Sequence, residues 1–180
     1  LSYLYVYSFP SEAKVKDILR NHDGILRGIR KKIFQLYMEM ENNTGVESLV
    51  LSSNGSNEAG ICLNKKGGIP KDLADFILKG EIVVHNRRAE LAKMMWRLTE
   101  DEQDINRVWA CYLSLPATYY DILTAVYVEN KKWNAVELEF GHAHSYFAKR
   151  LKDGLQEIIN VYNSDLTIAD IMVKRERYNK

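Results

Sequence analysis

The feature that most constrains this chain is an apolar stripe near its N-terminus. Between residues 15 and 40, side chains of one face recur at alternating steps of four and three, and only His22 is not apolar. The members are Val15, Leu19, His22, Leu26, Ile29, Ile33, Leu36 and Met40. This heptad spacing predicts one long amphipathic helix. Gly24 and Gly28 are its expected weak points, and Ser11 is its expected N-cap.

A second stripe follows in the segment 71–98. Its members, again at heptad spacing, are Leu73, Ile77, Val84, Leu91, Met95 and Leu98. Residues 42–70 between the stripes are rich in Gly, Ser and Asn, which is typical of a loop. The sequence therefore predicts an antiparallel helical hairpin over residues 1–98. The stripes can pack within one chain or between two copies, so a homodimer is one of two expectations.

Residues 99–165 are expected to form further helices. Thr99 and Glu102 have the spacing of a capping box, which predicts a new helix near residue 100. Pro116 is expected to start the next helix, because its missing N–H costs nothing there. That helix should end at Asn130, which tolerates a left-handed conformation.

A short helix over residues 133–139 should come next, with Trp133, Val136 and Phe140 on its buried face. Gly141 supplies a sharp turn. A third helix should begin near Ala143 and direct three apolar side chains into the core: Phe147, Leu151 and Leu155. Residues 166–180 are expected to be a basic tail, and the whole chain is predicted to be all-α.

Charge and composition limit the functions that this chain can have. A formal net charge of +1 excludes a protein that coats nucleic acid over its whole surface, so any DNA contact needs a local basic patch. Cys62 and Cys111 are far apart and are expected to be reduced. With no apolar run of about 20 residues and no signal-peptide pattern at the N-terminus, we expect a cytoplasmic protein without membrane contact.

The sequence shows no pattern that indicates an enzyme. It has no phosphate loop, nucleophile elbow or zinc-protease motif. His142 and His144 have no third ligand near them, so neither a metal nor another cofactor is predicted. The acidic residues 100–104 are interpreted as the first turn of a helix.

The stretch 115–155 carries the most specific pattern. Its elements, in order, are Leu115-Pro116, Ile122-Leu123, Tyr127-Val128-Glu129, Trp133, Val136, Gly141, Phe147 and Arg150-Leu151-Lys152. This pattern resembles the fourth region of bacterial sigma factors and the small phage regulators of the ArpU type. Three positions depart from that pattern, namely Lys131, Glu137 and His142. No segment resembles the promoter-melting region, so a complete sigma factor is not expected.

The resemblance implies a sigma-like helix-turn-helix and a DNA-binding transcription regulator, encoded by a phage or prophage. Its third helix would enter the major groove of double-stranded DNA. The side chains near the start of that helix would reach bases: His144, Ser145, Tyr146 and Lys149. Arg150 and Lys152 would contact phosphates. The alternative is a sigma-like interaction module that binds RNA polymerase or another regulator without reading DNA.

Overall fold

The computed structural model describes residues 10–42, 71–141 and 143–178. Regular structure in these residues is entirely helical, which confirms the all-α fold. The helices are α1 (Glu12–Asn42), α2 (Lys71–Leu113), α3 (Ala117–Leu123), α4 (Trp133–Phe140), α5 (His144–Tyr162) and α6 (Ile168–Tyr178), and a π-helical segment (Thr124–Val128) continues α3. Apart from Asn42, the expected loop at 42–70 lies outside the described residues. In the described part of the chain, no helix combines the length and the apolar character needed to cross a membrane.

The chain divides into two compact units. The first contains the described residues up to Gly28 together with those from Asp101 onwards, and the second is Ile29–Glu100. Helices α1 and α2 each contribute one part to each unit, so a unit boundary falls inside both helices.

The second unit contains part of the predicted antiparallel hairpin, because the first half of the first stripe, up to Leu26, belongs to the first unit. Glu39, late in α1, pairs with Arg87, early in the described part of α2, at 2.6 Å between Oε1 and Nη2. Nearer the start of this part of α1, Lys32 and Leu36 share a groove with Leu98. Because rising numbers in α1 meet falling numbers in α2, the two helices run antiparallel. The contact is made within one chain.

In the first unit, α1 begins as predicted but is not straight. The backbone N–H of Lys14 donates to Oγ of Ser11 at 3.2 Å, so Ser11 caps the helix. The break lies at Asn21, with φ −146° and ψ 37°, and not at the two expected glycines. A Cβ on Gly24 would collide with the Asn21 side chain. Gly24 therefore contributes indirectly, by leaving room for the side chain of the kinked residue.

A chain of ring contacts explains why His22 interrupts the first stripe. Its ring stacks on Trp109 with centroids 4.1 Å apart. Trp109 contacts Tyr112 at 4.9 Å, and Tyr112 stacks on Tyr120 at 5.0 Å. The hydroxyls of Tyr112 and Thr124 lie 2.5 Å apart, and burial raises the pKa of Tyr112. Rings from α1, α2 and α3 thus form one continuous row in which each ring contacts the next.

The predicted helix start near residue 100 is wrong. Helix α2 runs without interruption from Lys71 to Leu113. The hydroxyl of Thr99 donates to the backbone oxygen of Met95 at 3.0 Å, one turn earlier. A threonine inside a helix can satisfy its hydroxyl in this way, so the capping-box spacing was not sufficient to end the helix.

The residues expected to form a basic tail after residue 165 include a further helix, α6. Thr167 and Asp170 cap α6 reciprocally: the Thr167 N–H donates to the Asp170 carboxylate at 3.0 Å, and the Asp170 N–H donates to the Thr167 hydroxyl at 3.2 Å. The Thr167 hydroxyl also donates to the Asp170 carboxylate at 2.6 Å, and this hydrogen bond, together with the one from the Thr167 N–H, lowers the pKa of Asp170. The Thr-x-x-Asp spacing was the signal in the sequence for this helix.

Arg107 of α2 holds the C-terminal end of α5. Its guanidinium donates to the backbone oxygens of Tyr162 (3.0 and 2.9 Å), Ser164 (2.7 Å) and Leu166 (2.8 Å). It also lies over the Tyr162 ring, and the Tyr162 hydroxyl donates to Asp104 at 2.9 Å. Carbonyls at a helix end have no partner within the helix, so one cation satisfies several of them at once.

We expect Arg107→Met to lower the free energy of unfolding by about 1.5–3 kcal/mol, because it removes charge-assisted hydrogen bonds and leaves carbonyls unpaired. Urea unfolding followed by circular dichroism measures this. Arg27→Met is the matched control, since Arg27 is exposed and, within the part of the chain that the structure describes, donates to the Asp23 oxygen of its own helix. Equal losses in the two variants would show that the Arg107 contacts do not stabilise the fold.

Candidate nucleic-acid interface

Two left-handed residues set the path of the chain between α3 and α5. Asn130 has φ 51°, as predicted, and Gly141, which was predicted to make a sharp turn, has φ 67°. The Glu129 N–H donates to the Thr124 oxygen at 2.9 Å, which closes the π-helical turn. The Gly141 N–H donates to the Glu137 oxygen at 2.9 Å and ends α4. Helix α5 then starts at His144, directly after Ala143.

The short helix α4 packs on α5 through fewer side chains than expected. Val136 is fully buried, and Phe140 meets the buried Phe147 edge-on, with centroids 6.0 Å apart. The prediction that Trp133 is buried is wrong, because 38% of its surface is exposed. Trp133 stands at the first position of α4, where a side chain lies at the rim of the contact and not inside it.

A glycine allows α3 and α5 to approach closely. A Cβ placed on Gly154 of α5 would lie 3.0 Å from Leu123 Cδ1 and 3.2 Å from Tyr119 Cβ. The three predicted core residues of α5 are buried around this point: Phe147, Leu151 and Leu155. The inner face of α5 is therefore fixed against α3, which leaves its opposite face at the surface.

The structure separates the six predicted contact residues into two groups. His144, Ser145, Lys149 and Lys152 are exposed, whereas Tyr146 and Arg150 are half-buried. Ser145, Lys149 and Lys152 recur at helical spacing, so they lie along one face of α5. Gln156 continues this exposed face. It was not among the predicted residues, although the same spacing identifies it.

Arg150 is held between two tyrosines. Its guanidinium carbon lies 5.3 Å from the ring centre of Tyr146 and 5.6 Å from that of Tyr119. Nη1 donates to the Tyr119 hydroxyl at 3.4 Å. These tyrosines raise the pKa of Arg150, which is therefore always a cation. Nothing in the sequence pattern indicates that Tyr119 of α3 would join this cluster.

His144 contacts two residues of α4. Its Nδ1 lies 3.2 Å from Glu137 Oε1, and its ring meets Trp133 at 4.6 Å between centroids. Glu137 is one of the departures from the sigma-like pattern. In this chain, the carboxylate at that position is placed to hold the imidazole at the start of α5.

A second departure, Lys131, forms ion pairs with two acidic residues beside α4. Its ammonium lies 2.9 Å from a carboxylate oxygen of Glu129 and 2.6 Å from one of Glu139. These hydrogen bonds raise the pKa of Lys131. One ammonium offsets one of these two carboxylate charges, so the negative charge on this side of α4 is reduced.

The third departure, His142, lies outside the described residues. Among the residues that are described, no group of three or more His, Cys, Asp or Glu side chains could hold a metal ion. Comparison of the chain with protein families, with curated proteins and with solved structures gives no match.

We expect Gly154→Val to destabilise the fold by about 1–3 kcal/mol, because its side chain would force α3 and α5 apart. Thermal or urea unfolding measures the change. Gly28→Val is the control: Gly28 lies in α1, and a Cβ placed there would have nothing within 4 Å, so the same substitution should be nearly neutral. If Gly154→Val unfolds at the wild-type denaturant concentration, the close approach of these helices is not a constraint.

Proposed function

We propose that this chain is a DNA-binding transcription regulator that reads duplex DNA through α5. The observation that carries the proposal is the exposed basic face of α5. The short helix α4, which ends at the glycine turn, packs against α5 and leaves this face open. In a helix-turn-helix, the second helix braces the third, which enters the major groove. Here α4 and α5 take these roles. The sigma-like resemblance adds that the regulator belongs to a phage or prophage, and the sequence pattern adds the expectation that it acts in the cytoplasm.

Charge supports this assignment of roles. The chain as a whole has a formal net charge of only +1. Lys149 and Lys152 nevertheless stand exposed on one face, and neither forms an ion pair among the described residues. Exposed cations that share one face without a carboxylate partner give a local patch that attracts phosphates. Arg150 adds its charge to this patch, while its contacts position Tyr146.

Base contacts are assigned to the first turn of α5, where His144, Ser145 and Tyr146 are located. Exposed side chains near the start of a recognition helix are those that reach base edges. His144 is oriented by Glu137 and Trp133, and Tyr146 by Arg150. Side chains held in place lose less conformational entropy when they bind, which favours selective contact.

One observation favours the alternative, an interaction module for RNA polymerase or another regulator. Leu138 of α4 is 88% exposed, and Trp133 and Val128 are partly exposed. Exposed apolar groups of this size are typical of protein contacts. Copurification of polymerase without any duplex binding by the folded protein would support this alternative and contradict DNA recognition.

The phosphate contacts are tested with Lys149→Gln and Lys152→Gln. Each variant should weaken binding to all duplexes alike and reduce the slope of log affinity against log salt by about one ion. Fluorescence anisotropy on a duplex selected from genomic fragments and on a scrambled duplex measures both quantities. Lys31→Gln, an exposed lysine on α1, is the matched control. Unchanged affinity and salt slope in both α5 variants would contradict the proposal.

The base contact is tested with Tyr146→Phe, which keeps the ring that Arg150 contacts and removes the hydroxyl together with its hydrogen bond to Arg150. The difference in binding free energy between the selected and the scrambled duplex should fall by about 1–3 kcal/mol if the hydroxyl reads a base. The salt slope should stay at the wild-type value, because no cation is lost. An unchanged preference for the selected duplex over the scrambled one would show that the Tyr146 hydroxyl does not contact a base.

A further inference from the structure

The second unit exposes more apolar surface than a two-helix hairpin can bury by itself. Among the side chains that the structure describes in this unit, only Leu91 is fully buried. Eight large apolar side chains of the unit are exposed: Phe34, Tyr37, Met38, Leu78, Ile82, Val83, Met94 and Trp96. An apolar face of a helix is normally packed against another element. This surface therefore calls for a partner.

Three of these side chains belong to a regular stripe along α2. The stripe has heptad spacing, and all its members are exposed: Leu78, Ile82, His85, Ala89, Ala92 and Trp96. It is distinct from the inner stripe that contains Leu91. At a rise of about 1.5 Å per residue, it extends for roughly 27 Å. A stripe of this length and spacing fits another α-helix.

We infer that the partner is a second copy of this chain, packed through α2 against α2 in antiparallel orientation. In such a pair Leu78 lies opposite Trp96 of the other copy, and Ile82 lies opposite Ala92. His85 lies opposite Ala89. Large side chains then meet at the two ends, while the small alanines near the centre let the helices approach, because interaxial distance depends on side-chain size. The stripe is thus complementary to itself.

The available area agrees with a dimer. Leu78, Ile82 and Trp96 are 55%, 52% and 61% exposed. Since a large side chain buries about 150–250 Å² when fully covered, these three offer roughly 300 Å². Phe34, Tyr37 and Met38 on α1 offer a similar amount. Together the six offer roughly 600 Å², at the low end of the about 600–1,000 Å² per partner that specific interfaces bury, which fits a weak and reversible dimer.

The charge near the centre of the α2 stripe predicts how the dimer depends on salt concentration. Arg88 lies one residue from the centre of the antiparallel pair, so its two copies approach each other. Salt screens repulsion between exposed like charges. The dimer should therefore tighten as salt is added, whereas binding of DNA weakens. The salt concentration therefore distinguishes dimerisation from DNA binding. The dimer proposal does not depend on the proposed DNA binding.

The test is sedimentation of the full chain over a wide range of concentration, without DNA. Wild type should form a dimer reversibly. Ala92→Glu should raise the dissociation constant about tenfold or more, because its carboxylate would be buried against Ile82 of the other copy. Ala13→Glu, at an exposed alanine of α1, should leave it unchanged. Circular dichroism confirms that each variant is folded.

A charge pair tests the antiparallel orientation. Ile82→Glu and Ala92→Lys should each weaken the dimer, and the two together should restore it, because each new carboxylate then faces a new ammonium of the other copy. Ten residues separate the positions along one helix, so the rescue cannot come from within a chain. A wild-type monomer at every concentration, a dimer indifferent to Ala92→Glu, or a double variant that stays monomeric would each overturn the inference.

Discussion

The guanidinium of Arg107 is the contact on which the position of α5 depends. It binds three backbone oxygens where α5 ends and the chain turns towards α6. Gly154 fixes the same helix against α3, near its middle. A helix held at its end and along its inner face can present the opposite face in a constant orientation. The exposed residues of the candidate interface are therefore positioned by groups that lie outside it.

Sequence reasoning succeeded where one periodic signal dominated. The two heptad stripes predicted the long helices and their antiparallel pairing, and the buried residues of α5 followed from the same rule. Asn130 was predicted to be left-handed because few residues other than Gly, Asn and Asp adopt that conformation without strain, and Gly141 was predicted to make a sharp turn. These features depend on residues close in sequence, so the pattern alone contains the information.

The errors have a different physical origin. The Thr99 capping box and the burial of Trp133 were local expectations that the tertiary structure did not follow. Helix α2 continues through Thr99, and Trp133 lies at the edge of a contact. The pairing of Arg150 with Tyr119 joins residues 31 positions apart. No periodicity predicts such a pair, because it depends on how closely α3 and α5 pack. Conversely, the departures at Lys131 and Glu137 become intelligible only once their partners are known.

The π-helical turn between α3 and α4 has a consequence for how this region tolerates length changes. Its closing hydrogen bond, from Glu129 to Thr124, spans five residues where an α-helix spans four. The turn thus accommodates one additional residue. Deleting a residue here would convert the wide turn into an ordinary α-helical turn and change the direction in which the chain leaves α3. Variation in chain length is therefore disfavoured at this turn, because the added residue sets the direction in which α4 departs.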